Sequence, residues 1–434
     1  MMPLKGTATR WGKAIVLSFA LVAGCQTSSP MIGNDNQPPQ PPRSDTSTEL
    51  THLFTRHSAT PVIVLDSVMI ERAMDNAPDD AVGVTAETIL PSLIKTLSGI
   101  DPSPDTVEMM GQAYYNHAPV AIPNHDNIGG DTTKKPNDLW VVFGDLPGAP
   151  VYGTLFMFSK IHPDNFKKIV PDIDVDALHI PPHLAERFIK LHEGFHAIDR
   201  RYTIAMHNLP ELHEESFADY ARHNDVRMQI EVLHQKAETF ADVAAALKMA
   251  QEGHTQYLVP YAASRGMAQY FRHLHSMQRG QGYADMIMTD ETGVIADKVS
   301  GWPDNLTFVP QPFTSHNTVK GLLMVNDFVT RTPAQIIRAM TMDDILTKAY
   351  AITEATTPSP DQLRAQAFYM WNDIRKALGE TTAPALVEDF CPTPCASAIT
   401  PTQRAHAKEA YDDYINTLNR AVAPYRKPSP GPQS

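Results

Sequence analysis

The sequence is poor in cysteine, has no excess of basic residues, and contains no long apolar run after its first 25 residues. With three cysteines in 434 residues, a disulfide-rich scaffold is excluded. A net charge of −13, with Lys and Arg scattered along the chain, argues against nucleic-acid binding. No internal repeat is present. The residues after position 25 have a globular composition and are enough for one large or two ordinary domains.

The first 25 residues have the pattern of an export signal. Basic residues between positions 5 and 13 precede the apolar run 14–23, which is too short for a stable membrane-spanning helix. The sequence VAGC at 22–25 resembles the bacterial lipobox, which implies cleavage before Cys25 and acylation of that residue, with palmitate among its lipids. Gln26, where an Asp would retain a lipoprotein at the inner membrane, implies the outer membrane in a Gram-negative source. An ordinary secretory signal or a short cytosolic helix are the alternatives.

Residues 25–60 are predicted to form a flexible tether that begins at the lipidated Cys25. The run PPQPP at 38–42 favours extended polyproline, and Ser, Thr, Asn and Gln fill much of the remainder. Such a spacer would hold a folded domain away from the membrane.

The other two cysteines, Cys391 and Cys395, lie together in the sequence CPTPC. In an exported protein this pair is predicted to form a local disulfide. A ring this small closes little chain entropy, so its expected role is to rigidify a loop. A metal site or redox dithiol is the alternative, but no second Cys or His cluster lies nearby to complete it.

The most informative motif is HEGFH at 192–196, an HExxH pattern. One helical turn separates His192 from His196, so both imidazoles can bind one metal ion. Glu193 is then placed to take a proton from a water at that ion. The motif alone predicts a metal-dependent hydrolytic site.

The flanking residues predict that this motif lies in an amphipathic helix. Pro181 and Pro182 suit a helix start, and the apolar residues that follow are spaced by four and three, which forms one stripe. In a helical projection, with 100° of rotation per residue, both histidines lie beside this stripe. This places them at the boundary between core and solvent. Gly194 lowers helix propensity by about 1 kcal/mol relative to Ala, and the sequence offers no reason for it. The charged residues of the segment are expected on the remaining face: Arg187, Lys190, Arg200 and Arg201.

A catalytic zinc needs a third protein ligand. The metzincin pattern would place a histidine at position 202, which is Tyr202 here. Glu215 follows His196 after 18 residues, and Asp219 lies one helical turn later, in the sequence ESFAD. A carboxylate one turn beyond a ligand can accept the far N–H of a ligand histidine and fix its tautomer. Glu211 and Glu214 stay open as alternatives to Glu215.

HExxH followed by E-x-x-A-D resembles the gluzincin zinc metallopeptidases, such as thermolysin and the aminopeptidase N-like enzymes. The resemblance covers about 30 residues. It implies one Zn²⁺ held by His192, His196 and Glu215, with Glu193 as general base and Asp219 as the orienting acid. Lys190 departs from the extended pattern, and no G-x-M-E-N segment is present, so exopeptidase specificity is not implied. Several residues are eligible to stabilise the oxyanion: Tyr220, His223, Tyr257, Tyr261, Tyr270 and His273.

The predicted fold class is α+β, with a small strand-containing N-terminal part, zincin-like active-site helices and a helix-rich C-terminal part. Strands are predicted at 62–65, 139–143 and 152–158, and the last two are expected beside the site, where a peptide can add to a strand edge. Helices are predicted across 211–234, 236–250 and 256–278, and from starts near Thr85, Ser103, Thr332, Thr341, Ser359 and Thr400, with a loop at 280–320. The predicted domains are a signal peptide (1–24), the tether (25–60), a zincin-like metallopeptidase domain (61–280) and a mostly helical domain (281–434).

Together these patterns predict an exported, lipid-anchored zinc hydrolase of the bacterial envelope, acting as a peptidase on a peptide or protein substrate. The alternative is a non-catalytic envelope lipoprotein that binds a partner or ligand and has a structural or vestigial metal site. A hydrolase of a non-peptide amide or a cell-wall peptide is a third possibility.

Overall fold

The computed structural model describes residues 43–78, 83–124, 138–145, 172–207, 224–266, 314–357, 359 and 401–428. These residues are mostly helical around a three-stranded sheet, which confirms the α+β class. Within this part of the chain, no helix is long and apolar enough to cross a membrane. Several predictions lie outside the described residues: Cys25, the strand at 152–158, Glu215 with Asp219, the helix after Ser359, and the Cys391–Cys395 disulfide.

The sheet consists of β1 (Val62–Leu65), β2 (Val120–Pro123) and β3 (Trp140–Phe143). β3 lies in the centre, parallel to β1 and antiparallel to β2. β1 is confirmed at its predicted bounds, and β3 begins one residue later than predicted. Because β3 is paired on both sides, it is not the free strand edge that the sequence analysis expected beside the site. β2 was not predicted, since four residues ending in proline give little strand signal.

Helices cover both faces of this sheet, which explains why its strands are apolar without alternation. One face packs against α2 (Ser67–Asp75), α3 (Ala86–Ser98) and α4 (Pro104–Tyr115). The opposite face packs against α1 (Arg43–His57) and α5 (Pro182–Ile198), and α5 carries the HExxH motif.

Helix α1 corrects the tether prediction, because residues 43–57 are helical and belong to the core. Leu50 and Phe54 of α1 are fully buried. The Thr55 hydroxyl accepts from the Val62 N–H at 3.1 Å, and the Thr51 hydroxyl accepts from the Val64 N–H at 2.9 Å. These hydroxyls cover the outer edge of β1, which removes its capacity to pair with another strand. The composition of this segment is polar because one helix face is exposed.

The remaining helices form a layer around α7 (Asn224–Gln251), which contacts α5, α6 (Tyr202–His207), α8 (Thr314–Arg331) and α10 (Met342–Thr356). α7 is continuous across position 235, so the predicted division into helices 211–234 and 236–250 is wrong. α8 begins inside the predicted loop 280–320. Residues 258–266 are helical in the first half of the predicted helix 256–278. α9 (Ala334–Arg338) and α11 (Pro401–Val422) complete the described helices.

Most of the predicted helix starts that fall in the described residues are confirmed by their caps. Thr85 and Thr341 begin α3 and α10 with capping boxes. The Ser103 hydroxyl accepts from the Thr106 N–H at 3.1 Å, and Pro104 occupies the first turn of α4. These local signals identify helix starts well because each cap is made within four residues.

Gly194 allows α1 and α5 to pack closely. A Cβ atom at this position would lie 2.0 Å from Cε2 of the fully buried Phe54 ring, which also meets Phe195 edge-on at 5.4 Å. We therefore expect Gly194→Ala to lower the free energy of unfolding by about 1–3 kcal/mol, although Ala favours a helix by about 1 kcal/mol. Denaturant unfolding measures this change. Combining it with Phe54→Leu should recover part of the loss, and a Gly194→Ala protein more stable than wild type would contradict this packing.

Candidate metal centre

Helix α5 is buried on nearly every side, which differs from the sequence prediction. His192, Glu193 and His196 are 2 %, 1 % and 1 % exposed, so the predicted position of the histidines at the solvent boundary is wrong. The reason is that α7 covers the face that a single-helix projection assigns to the boundary. The apolar stripe of a helix identifies the face that packs against the hydrophobic core. It does not reveal a second helix that packs against another, more polar face.

Lys190, predicted on the polar face, is also inside the protein. Its Nζ lies 3.3 Å from Asp66 Oδ2 and 3.1 Å from the Ser47 hydroxyl. Asp66 is fully buried and also accepts from the Met69 N–H as the N-cap of α2. Lys190 thus links the motif helix to α1 and α2 through a buried ion pair.

The motif side chains converge as the sequence predicted. His192 Nε2 and His196 Nε2 are 3.1 Å apart, and one ligand atom from each of His192, Glu193 and His196 lies within 4.8 Å of the others. Such a buried His-Glu-His group can hold a metal ion.

Glu193 lies between the two histidines in sequence, and its buried carboxylate is poorly solvated. Its Oε2 is buried without a hydrogen-bond partner among the described residues. Burial raises the pKa of Glu193 above its usual value, against the opposite effect of His192 and His196. A carboxylate with a raised pKa takes and returns protons more readily near neutral pH.

Two further carboxylates reach the histidines from α7. Glu238 Oε2 lies 3.5 Å from His192 Nε2, and Glu238 Oε1 lies 3.4 Å from His196 Nε2. Asp242, one turn later, places Oδ1 2.7 Å from His192 Nδ1 and 2.6 Å from Arg265 Nη2. Arg265 Nη2 is also 3.3 Å from His192 Nδ1.

The other ring nitrogen of His196, Nδ1, also has a polar neighbour. The Thr203 hydroxyl lies 3.4 Å from His196 Nδ1 and donates to Asp199 Oδ2 at 3.0 Å. Asp199 follows the end of α5, accepts from the Thr203 N–H at 2.8 Å, and accepts from the Tyr350 hydroxyl at 3.0 Å. Asp199, at the end of α5, and Thr203, in α6, therefore fix the orientation of the second histidine.

The charges around the two imidazoles favour a cation. Burial alone would lower the pKa of His192, but Asp242 and Glu238 raise it to about 10. Arg265 and His192 lower the pKa of Asp242, although burial opposes them. With Glu193 included, three carboxylates and one guanidinium surround the two imidazoles, and a bound metal ion would replace the proton that these carboxylates favour on His192.

The sequence analysis missed Glu238 and Asp242, although a signal was present. The sequence ETFAD at 238–242 repeats the pattern of ESFAD at 215–219, and both match E-x-x-A-D. The first copy was chosen because its distance from His196 resembles the gluzincin spacing. The structure brings the second copy to the histidines, while Glu211, Glu214, Glu215 and Asp219 lie outside the described residues.

Of the residues predicted as eligible to stabilise an oxyanion, Tyr257 and Tyr261 are described. The Tyr261 hydroxyl donates to the backbone oxygen of Leu184 at 3.3 Å, and its ring stacks on Phe188. Tyr261 thus packs against the first half of α5. Tyr257 packs partly buried against the same core.

Comparisons with known proteins place the chain in no established group. No protein-family model matches it, and neither the curated proteins nor the solved structures gave a match.

Proposed function

We propose that the protein is a zinc-dependent hydrolase of the gluzincin type, acting as a peptidase. The observation that supports this most is the convergence of His192 Nε2 and His196 Nε2, 3.1 Å apart and buried, beside a Glu193 carboxylate oxygen that has no hydrogen-bond partner among the described residues. Imidazole nitrogen and carboxylate oxygen are ligands that zinc prefers. The donor set and the excess of negative charge therefore fit a zinc ion.

In this proposal His192 and His196 hold the ion and Glu193 transfers protons. A bound zinc supplies Lewis acidity toward a substrate carbonyl and a water. Glu193 takes the proton of the attacking water and delivers it to the leaving amine, and its raised pKa suits both transfers. Asp242 and Thr203 keep the two imidazoles in fixed orientations.

The lipobox-like sequence at 22–25 supports export and anchoring through a lipid on Cys25. The substrate would then be a peptide or protein of the bacterial envelope or its surroundings. A second candidate function, a non-catalytic lipoprotein with a structural metal site, is supported by the near-complete burial of the motif side chains, since structural zinc sites are closed.

The test compares zinc loading with hydrolysis in the full chain. We expect the zinc-loaded protein to cleave members of a fluorogenic peptide library, chelation to abolish cleavage, and added Zn²⁺ to restore it. Zinc binding without cleavage of any peptide would favour the structural site. Cleavage that is unaffected by chelation would contradict the proposed function.

A further inference from the structure

We propose that Glu238, and not Glu215, is the third protein ligand of the metal site, and that Asp242, held by Arg265, orients His192. This inference rests on the proposed function only in requiring that His192 and His196 bind a metal. It assigns the ligand role to the second E-x-x-A-D copy, on α7.

The hydrogen bonds indicate which nitrogen of each imidazole is free to bind a metal. Asp242 accepts from His192 Nδ1 at 2.7 Å, so in the neutral imidazole the proton is on Nδ1 and the Nε2 lone pair is free. The Thr203 hydroxyl already donates to Asp199, so its oxygen accepts from His196 Nδ1. Both Nε2 lone pairs therefore point into the space between the two rings.

Glu238 adds a carboxylate to the same space. Its two oxygens lie 3.5 Å from His192 Nε2 and 3.4 Å from His196 Nε2, and Oε1 has no hydrogen-bond partner among the described residues. Three groups this close cannot all be free acceptors, so without a metal a proton must lie among them; a bound metal ion would take the place of that proton. Glu238 is 5 % exposed, so solvent screens these charges only weakly.

The distances also agree with a shared zinc ion. Two ligand atoms that each lie 2.0–2.1 Å from one tetrahedral zinc are roughly 3.3–3.4 Å apart. The separations here are 3.1 Å between the two imidazole nitrogens and 3.4 and 3.5 Å from them to the carboxylate. Asp242 completes the arrangement, because a carboxylate on the far nitrogen is the usual partner of a zinc-bound histidine.

The two E-x-x-A-D segments, at 215–219 and 238–242, provide matched control variants. Glu238→Gln should weaken Zn²⁺ binding by about 100-fold or more, since partners outside the ligand set already contribute 10–100-fold. Glu215→Gln, in the same sequence pattern, should leave the affinity unchanged. Asp242→Asn should weaken binding by about 10–100-fold, and Asp219→Asn should have no effect.

The experiment titrates metal-free full-length protein with Zn²⁺ against a competing chelator, with thermal unfolding in chelator as the measure of folding. Glu238→His replaces the carboxylate oxygen by a nitrogen ligand and should recover much of the affinity that Glu238→Gln loses. If Glu238→Gln fails to fold, the Glu215→Gln titration still decides, because weakened binding by that variant overturns the inference. Wild-type affinity in Glu238→Gln also overturns it while leaving the proposed function intact. A wild-type protein that binds no zinc contradicts both.

Discussion

Glu193→Gln is expected to lower hydrolysis by about 10²–10⁴-fold while zinc stays bound. The amide keeps the size and hydrogen-bonding shape of the side chain but cannot accept a proton from water. Because His192 and His196 are unchanged, the metal content should equal that of the wild type. The measurement is the turnover of a cleaved peptide together with zinc content by elemental analysis.

The matched control for this variant is Glu186→Gln. Glu186 lies two turns earlier on the same helix and is also buried, at 6 % exposure. The rise of seven helical residues separates Glu186 from Glu193 by roughly 10 Å along the axis, so its variant should keep the turnover of the wild type after correction for folded protein. Normal turnover by Glu193→Gln would rule out the proton-transfer role.

Lys190→Met is expected to lower the free energy of unfolding by about 3–5 kcal/mol. The methionine fills a similar volume, but it leaves the Asp66 carboxylate buried without its cation. Ser47 and the Met69 N–H still donate to Asp66, yet neutral donors do not balance a full negative charge. Denaturant unfolding of the metal-free protein measures the effect without a contribution from zinc binding.

Two comparisons make this prediction specific. Lys190→Met combined with Asp66→Asn removes both charges and should recover most of the lost stability. Lys95 forms an exposed pair with Asp101, at 58 % and 73 % side-chain exposure, so Lys95→Met should change stability by about 1 kcal/mol or less. Equal effects of Lys190→Met and Lys95→Met would show that the buried pair has no special role.

Short sequence patterns predicted the helix starts and the strand whose formation depends on neighbouring residues. The caps at Thr85, Ser103 and Thr341 and the strand at 62–65 depend on a few neighbouring residues, and each was identified. The paired histidines also follow from one helical turn. What the sequence could not supply was the set of elements that pack against α5.

The errors share this physical origin. Lys190 has a partner 124 positions away, and Gly194 is explained by Phe54 of a segment whose composition resembles a linker. Glu238 was missed because Glu238 and Glu215 lie in equivalent local sequences, which the sequence pattern alone does not distinguish. The side chain that reaches His192 and His196 is determined by how α7 crosses α5, which no local pattern encodes.

The most direct test of the metal centre is the zinc content of full-length protein purified without added metal. We expect one zinc per chain in the wild type and a large loss in His192→Ala and in His196→Ala. His183→Ala, at an exposed position of the same helix, should keep the wild-type content. A folded wild-type protein without zinc, or His192→Ala and His196→Ala proteins with unchanged zinc, would contradict a zinc site at these histidines.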